Sequence, residues 1–240
     1  MKITDWIMCF AAPGVFALTA VAVSAFGCDI FMSISKYLGV LVIGFGLQLL
    51  VVYPLFLKIF SKVSIWMLYA AIAEAMMVAF GTASSSATLP LTIACCEKRG
   101  ISHKITSFVL PLGATLNFDG TALLQTVAVI FLAQAYHVHL TVGLVFAIAA
   151  LAIVASSTCA GIPGAGLITI ALILNGMGLS PEQLVAGFAF LFTIERITDM
   201  FRTMVNVSSD AVVAVAIADN ENEINYDLLN NPAAYEDITQ

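Results

Sequence analysis

The chain has 240 residues, of which 61% are apolar and only 10% charged, with a formal net charge of −6. So few charges lie far below the roughly 25% of an average soluble domain, and the acidic balance argues against nucleic acid as a partner. Five cysteines, Cys9, Cys28, Cys95, Cys96 and Cys159, sit in apolar surroundings without a CxxC spacing, which argues against a disulfide frame or structural zinc.

The stretches "WIMCFAAPGVFALTAVAVSAF" and "YLGVLVIGFGLQLLVVYPLFLKIF" are long enough to cross a bilayer of about 30 Å as helices. They predict a first span within residues 1–30 and a second over 33–61. Basic residues mark cytoplasmic loops: Lys2 precedes the first span, Lys58 and Lys62 follow the second, and Lys98, Arg99 and Lys104 cluster further on. Residues 64–97 are mostly apolar yet lie between two basic clusters. "GTASSSATLP" breaks them in the middle with poor helix-interior chemistry. An even number of crossings keeps both clusters inside, so this segment reads as a re-entrant hairpin turning at Ser84, Ser85 and Ser86. Irregular backbone at membrane depth is tolerated only where protein or a water-filled cavity surrounds it, which makes the tip a candidate binding element.

A span over 103–135 follows, interrupted by "NFDGT" at 117–121. Residues 141–174 repeat the hairpin pattern, broken by "SSTCAGIPGAG" and flanked by loops without Lys or Arg, so this hairpin enters from the outside. Ser180 caps a final span over 181–218 with Pro181 at its first position. The expected fold is an all-α polytopic membrane protein. It is an inverted repeat of a re-entrant helical hairpin plus a broken transmembrane helix, with one or two additional spans. Such repeats, meeting near the midplane, mark secondary transporters.

At about 100° per residue, Glu195, Asp199, Arg202, Asn206 and Asp210 share about a third of the circumference of the last span, with Thr203 beside them. A charge at the bilayer centre costs about 2.5–3.5 kcal/mol on insertion scales, so this stripe faces protein or a cavity. Arg202 suits a carboxylate held bidentately, and Asp199 suits an ammonium. Asp119, Asp210, Asn117 and Asn206 supply hard oxygens for a small cation. After residue 218 the acidic, Asn-rich stretch 219–240 reads as a solvated, disordered cytoplasmic tail.

The motifs "SSSATLPLT", "PLGATLNFDGTALLQ", "AGIPGAGLI" and "DMFRTMVNVSSD", in this order, resemble the dicarboxylate/amino acid:cation symporter family, the glutamate and aspartate transporters. The resemblance covers residues from about 5 to 218. It implies that residues 31–218 form an elevator-type transport domain and residues 1–30 a scaffold-type helix. It also implies that the chain starts at what resembles the fifth span of a homotrimer, so most of the scaffold and the third span are expected to be missing.

In the resembling family, positions matching Ser84, Ser85 and Ser86 meet the substrate's α-carboxylate. Those matching Ile162, Pro163, Gly164, Ala165 and Gly166 form the extracellular gate. Thr121 belongs to the substrate pocket, Arg202 takes the side-chain carboxylate, Asp199 the amino group, and Thr203 and Asn206 the remainder. One sodium position maps to Gly113, Asn117, Asn206 and Asp210. A second maps to Thr115, Phe118, Ser156, Ser157 and Cys159, mostly through backbone atoms, and a third to Asn117 and Asp119.

The chain departs from the family at Phe118, where many members have Met, and at Ala83 and Met200, either of which is usually a second pocket arginine. Arg196 is the expected stand-in. The implied function is sodium- or proton-coupled symport of glutamate or aspartate in the cell (inner) membrane, without other cofactors. Asp199 together with Arg202 favours these over C4-dicarboxylates and neutral amino acids. The alternatives are a C4-dicarboxylate symporter and a truncated, non-transporting remnant or interaction subunit. No enzymatic activity is expected: the serine run lacks a His or Lys base nearby, and "GIPGAG" lacks the context of a phosphate-binding loop.

Overall fold

The computed structural model describes residues 29–176 and 178–230, with five single positions between 13 and 24. Most of the span expected within residues 1–30, including Cys9 and Cys28, and the end of the acidic tail at 231–240 lie outside the described residues.

Helix α1 (Asp29–Leu47), a π-turn (Gln48–Val52) and helix α2 (Tyr53–Phe60) follow one another without a loop. Together they supply an apolar segment, Met32–Phe60, long enough to cross a membrane. The sequence predicts this span but not its π-turn.

Helices α3 (Ile65–Thr82) and α4 (Ser85–Lys98) form a helical hairpin with a two-residue tip. Ala83 adopts a left-handed conformation at φ 53°, Ser84 is extended, and the Ser84 side chain accepts from the Ala87 N–H, capping α4. The serines that disfavour a helix interior therefore act as turn and cap. Taken alone, α3 is also long and apolar enough to cross a bilayer.

Helices α5 (His103–Leu116) and α6 (Asp119–Ala135) are separated by a break at Asn117 and Phe118. Helices α7 (Val142–Ser156) and α8 (Ala165–Asn175) pack together as the second hairpin. Its tip is longer and irregular, with Gly164 at φ +81°.

Helix α9 (Pro181–Asn220) starts with a reciprocal capping box between Ser180 and Gln183. Its 40 residues reach about 60 Å at 1.5 Å per residue, about twice the hydrocarbon thickness. It packs against α1 to α6 and α8 and is the axis of the fold. Its buried small residues, Ala211, Ala214 and Ala218, together with Ala75 and Ala79 of α3, let backbones approach closely.

Polarity is inverted relative to a soluble protein. Val42, Ile43, Leu50, Leu55, Trp66 and Phe108 are exposed, whereas Asp199, Arg202, Asn206 and Asp210 are each 4% exposed or less. An apolar exterior around charged groups is what a lipid solvent selects.

The tail differs from its expectation. Residues 221–230 fold back onto the loop after α4 instead of extending into solvent. Ile101 and Ile224 form an isolated bridge, the Ser102 N–H donates to the Glu223 carbonyl at 3.0 Å, and Asn225 N–H donates to the Gly100 carbonyl at 2.8 Å. Lys104 pairs with Glu223 at 2.7 Å, and a short helix α10 (Tyr226–Asn230) closes the segment. The acidic composition suggested a solvated tail, but Ile224, Leu228 and Leu229 give it enough apolar surface to dock.

Candidate functional site

Two hairpin tips and the break between α5 and α6 converge on α9. The Ser84 hydroxyl donates to the Gly161 carbonyl at 2.8 Å and the Ser86 N–H donates to the same oxygen at 3.3 Å, so the two tips touch. A Cβ on Gly161 would lie 2.6 Å from the Ser86 hydroxyl and 3.3 Å from the Ala114 carbonyl. A larger residue would have to displace the Ser86 hydroxyl and crowd two backbone groups. Beyond it, Gly164 N–H donates to Asp199 at 3.2 Å, so the tip of the second hairpin rests on the polar stripe.

Arg202 and Asp199 form a buried ion pair, one turn apart on α9. Arg202 also donates to the Thr121 hydroxyl at 3.0 Å, and Asn206 Nδ2 donates to the same hydroxyl at 3.1 Å. The Gly120 N–H donates to Asn206 Oδ1 at 2.9 Å, which ties the start of α6 to α9. The Thr203 hydroxyl turns back to the Asp199 carbonyl at 2.8 Å. Arg202 Nε is buried with no hydrogen-bond partner among the described residues, a donor that remains to be used. Beside this group lies a cavity of about 10 Å³, the size of one water centre, lined by Gly166, Glu195, Thr198, Asp199 and Arg202 among others.

Of the residues expected around substrate, the structure brings together Thr121, Gly164, Gly166, Asp199, Arg202, Thr203 and Asn206. Ser84 and Ser86 join through Gly161. Ser85 is buried behind them, Pro163 and Ala165 are half-buried at the tip, and Ile162 is exposed.

The expected cation ligands separate into three places. Asn117 Nδ2 donates to Asp210 Oδ1 at 3.0 Å and to the Ser209 hydroxyl at 2.9 Å. A Cβ on Gly113 would stand 2.6 Å from Asp210 Oδ1, so Gly113, Asn117 and Asp210 form one cluster, with Asn206 one turn earlier on α9.

Thr115, Ser156 and Ser157 all turn their hydroxyls onto carbonyls of their own helices. Buried Phe118 carries no side-chain oxygen, so what this group offers a cation is backbone carbonyl. The Cys159 thiol turns toward Thr169 and Gln125.

Asp119 shares the Ser209 hydroxyl with Asn117 but takes its closest partners elsewhere. Its Oδ2 accepts from Tyr53 at 2.6 Å and from Gln48 at 2.8 Å, while Oδ1 accepts from the Gly120 N–H at 2.8 Å. Gln48 and Tyr53 are absent from the sequence-derived site, although a glutamine inside "GFGLQLLVVYP" was a signal: polar groups in a span are rare and functional.

Among the described residues no Lys, Arg or His comes within ion-pair distance of Asp119 or Asp210. Two carboxylates enclosed without a basic partner are costly unless a cation or proton joins them. A second cationic group, Arg196, stays exposed and donates to the Gly81 carbonyl at 3.2 Å, two residues before Ala83.

The profile of the sodium:dicarboxylate symporter family matches residues 1–220. The chain belongs to that family. It is 36% identical over 213 residues to mouse excitatory amino acid transporter 3, covering 88% of this chain and 40% of that protein. It is 34% identical over 223 residues to the proton/sodium-glutamate symport protein of Bacillus subtilis (strain 168), covering 93% of this chain and 51% of the relative. Human excitatory amino acid transporter 1 is 34% identical over 218 residues, with 89% and 39% covered. The chain thus spans about two fifths to one half of these relatives. Family membership and the long apolar helices make it an integral membrane protein.

Proposed function

We propose that this chain forms the substrate and cation sites of a cation-coupled symporter for an acidic amino acid, glutamate or aspartate. The observation that carries the reading is the buried Asp199–Arg202 pair beside two carboxylates, Asp119 and Asp210, with no basic partner among the described residues.

Substrate binding is an exchange of partners. Removing one member of a buried pair costs about 3–5 kcal/mol, because the other is left uncompensated. An acidic amino acid avoids this: its side-chain carboxylate takes the Arg202 fork, including the unused Nε, and its ammonium takes Asp199. Its α-carboxylate is left for the hydroxyls and N–H groups of the serine tip. The bound molecule adds one net negative charge to an enclosure that already holds two unmatched carboxylates. Cations at Asp119 and at the Gly113–Asn117–Asp210 cluster offset that charge, which links substrate binding to sodium or protons. Sodium suits the neutral oxygens beside each carboxylate better than a proton does.

In this reading residues 31–218 are the moving transport domain, and both hairpins are re-entrant. The Gly164 contact with Asp199 closes the outer gate, and lifting it admits substrate. The tail faces the cytoplasm of the cell (inner) membrane, and the domain works against a trimeric scaffold. The names of the relatives, glutamate symporter and excitatory amino acid transporters, support the substrate class.

The test is uptake of radiolabelled L-glutamate and L-aspartate into vesicles under imposed sodium or pH gradients, with the chain alone and with the scaffold spans of a relative co-expressed. Gradient-dependent accumulation is expected in at least one of the two cases. Its absence in both cases, with the protein folded, overturns the proposal.

A further inference from the structure

Among the described residues, the π-turn at Gln48–Val52 is an irregularity in the membrane segments that no expected site explains. In an α-helix, residues five apart point about 140° away from each other, so Gln48 and Tyr53 would face different sides. Here the Tyr53 N–H donates to the Gln48 carbonyl, an i to i+5 bond that closes a wider turn between these two residues. Both side chains then reach one atom, Asp119 Oδ2, at 2.8 and 2.6 Å.

The cause is local. Pro54 has no N–H for the Leu50 carbonyl, and its ring crowds that carbonyl, which opens the preceding turn. The loosened ladder is pinned from outside: Tyr69 of α3 donates its hydroxyl to the Leu49 carbonyl at 2.6 Å. At membrane depth such an external partner keeps irregular backbone tolerable.

We propose that the π-turn is a positioning device for cation binding: Gln48 and Tyr53 are positioning residues that fix the Asp119 carboxylate, and Tyr69 locks the turn that aims them. This rests on the reading of Asp119 as a cation ligand. The two donors occupy one carboxylate oxygen and stabilise the charged form by charge-assisted hydrogen bonds. The orientation of the group is thereby set before the cation arrives, and a preorganised ligand binds more tightly than one that must be ordered. The device also joins the inner hairpin to the cation site, since α3 supplies Tyr69.

The experiment uses the purified full chain in nanodiscs with sodium chloride as the probe and choline chloride as the ionic-strength control. Two quantities are read: the sodium concentration giving half the sodium-induced rise in unfolding temperature, and L-aspartate affinity at saturating sodium. Tyr53→Phe, which deletes only a hydroxyl, and Gln48→Leu are each expected to raise the half-saturating sodium concentration about tenfold, the weight of one charge-assisted hydrogen bond. Aspartate affinity at saturating sodium stays at the wild-type value, while the unfolding temperature in choline falls by about 2–4 °C for the lost hydrogen bond. Tyr69→Phe shifts the sodium midpoint in the same direction by a smaller factor.

Wild-type sodium midpoints in Tyr53→Phe and Gln48→Leu overturn the positioning role and leave the cation-site reading intact. An equal loss of aspartate affinity at saturating sodium also overturns it, since it marks a site disturbed as a whole rather than a misplaced cation ligand. No sodium-induced rise in the wild-type chain overturns the cation-site reading and this inference with it.

Discussion

Replacing Asp199 by Asn separates the two substrate classes that the site could serve. Asp199 is 3% exposed and has two partners, the Arg202 guanidinium and the Gly164 N–H at 3.2 Å. Asparagine keeps the shape and an acceptor oxygen for both, so the fold and the gate contact survive, but the charge that would receive a substrate ammonium is gone. A hydrogen bond to a charged group is worth about 1.5–3 kcal/mol, which corresponds to about a ten- to hundredfold loss in affinity for L-aspartate and L-glutamate. Succinate has no ammonium and forfeits nothing at this position. Arg202, released from its counter-charge, holds a dicarboxylate at least as well as before. The assay is ligand-induced stabilisation of the purified protein at saturating sodium, titrated separately with L-aspartate, L-glutamate and succinate. A selective loss for the amino acids, with succinate unchanged or improved, is expected. An equal loss for all three, or none for any, refutes the assignment of Asp199 to the ammonium.

Gly113→Ala would put a methyl 2.6 Å from Asp210 Oδ1 and push the carboxylate off Asn117; sodium affinity is expected to fall roughly tenfold, read as the sodium midpoint of thermal stabilisation. Arg196→Ala removes the contact to the Gly81 carbonyl and is expected to lower uptake with stability within about 1 kcal/mol of wild type; wild-type uptake refutes a role in the substrate path.

Gly100→Ala places a Cβ 2.3 Å from the Asn225 carbonyl at a residue with φ +82°, where a side chain itself costs about 1–2 kcal/mol. Limited proteolysis is expected to cut after residue 220 far faster while the sodium response is kept. The Glu223 carboxyl is held below its usual range, chiefly by the hydrogen bond from Lys104. A lowered folded value means this contribution is complete above the ordinary Glu range of about 4.3 and disappears as the pH falls below it. Proteolysis of the tail should accelerate as the pH drops through that window, and a Lys104→Met variant should weaken the pH dependence without removing the part carried by Asp219, whose carboxylate accepts from Tyr226.

How much of the site was legible follows from the kind of signal each residue gives. Glu195, Asp199, Arg202, Asn206 and Asp210 recur at helical spacing inside an apolar stretch, and a charge in such a stretch has few tolerable places to face. The burial of Asp199, Arg202, Asn206 and Asp210 on α9 was therefore readable without coordinates, with Glu195 half-buried at the end of the stripe. The tips were readable for the complementary reason, since Ser84–Ser86 and Gly161–Gly166 are poor helix interior between good helix formers.

The partners across helices were not readable. That Gly161 receives both Ser84 and Ser86, that Asn117 spends its amide on Asp210 and Ser209, and that Asp119 turns to Gln48 and Tyr53 depend on which helix faces lie together. Periodicity leaves those faces undetermined. The π-turn belongs here too. Pro54 and Gln48 were visible, but the turn matters because α3 and α6 supply partners 20 and 71 positions further along the chain.

Composition and spacing thus determined that the chain is helical, lives in lipid, breaks its helices at defined points and buries one charged stripe. These are local consequences of what water, hydrocarbon and backbone hydrogen bonding each allow. Tertiary structure alone decided which broken ends meet, how Asp199 is matched with Arg202 while Asp119 and Asp210 lack a basic partner among the described residues, and how the first tail residues dock. Such contacts are set by distances between segments remote in sequence, which no single stretch encodes.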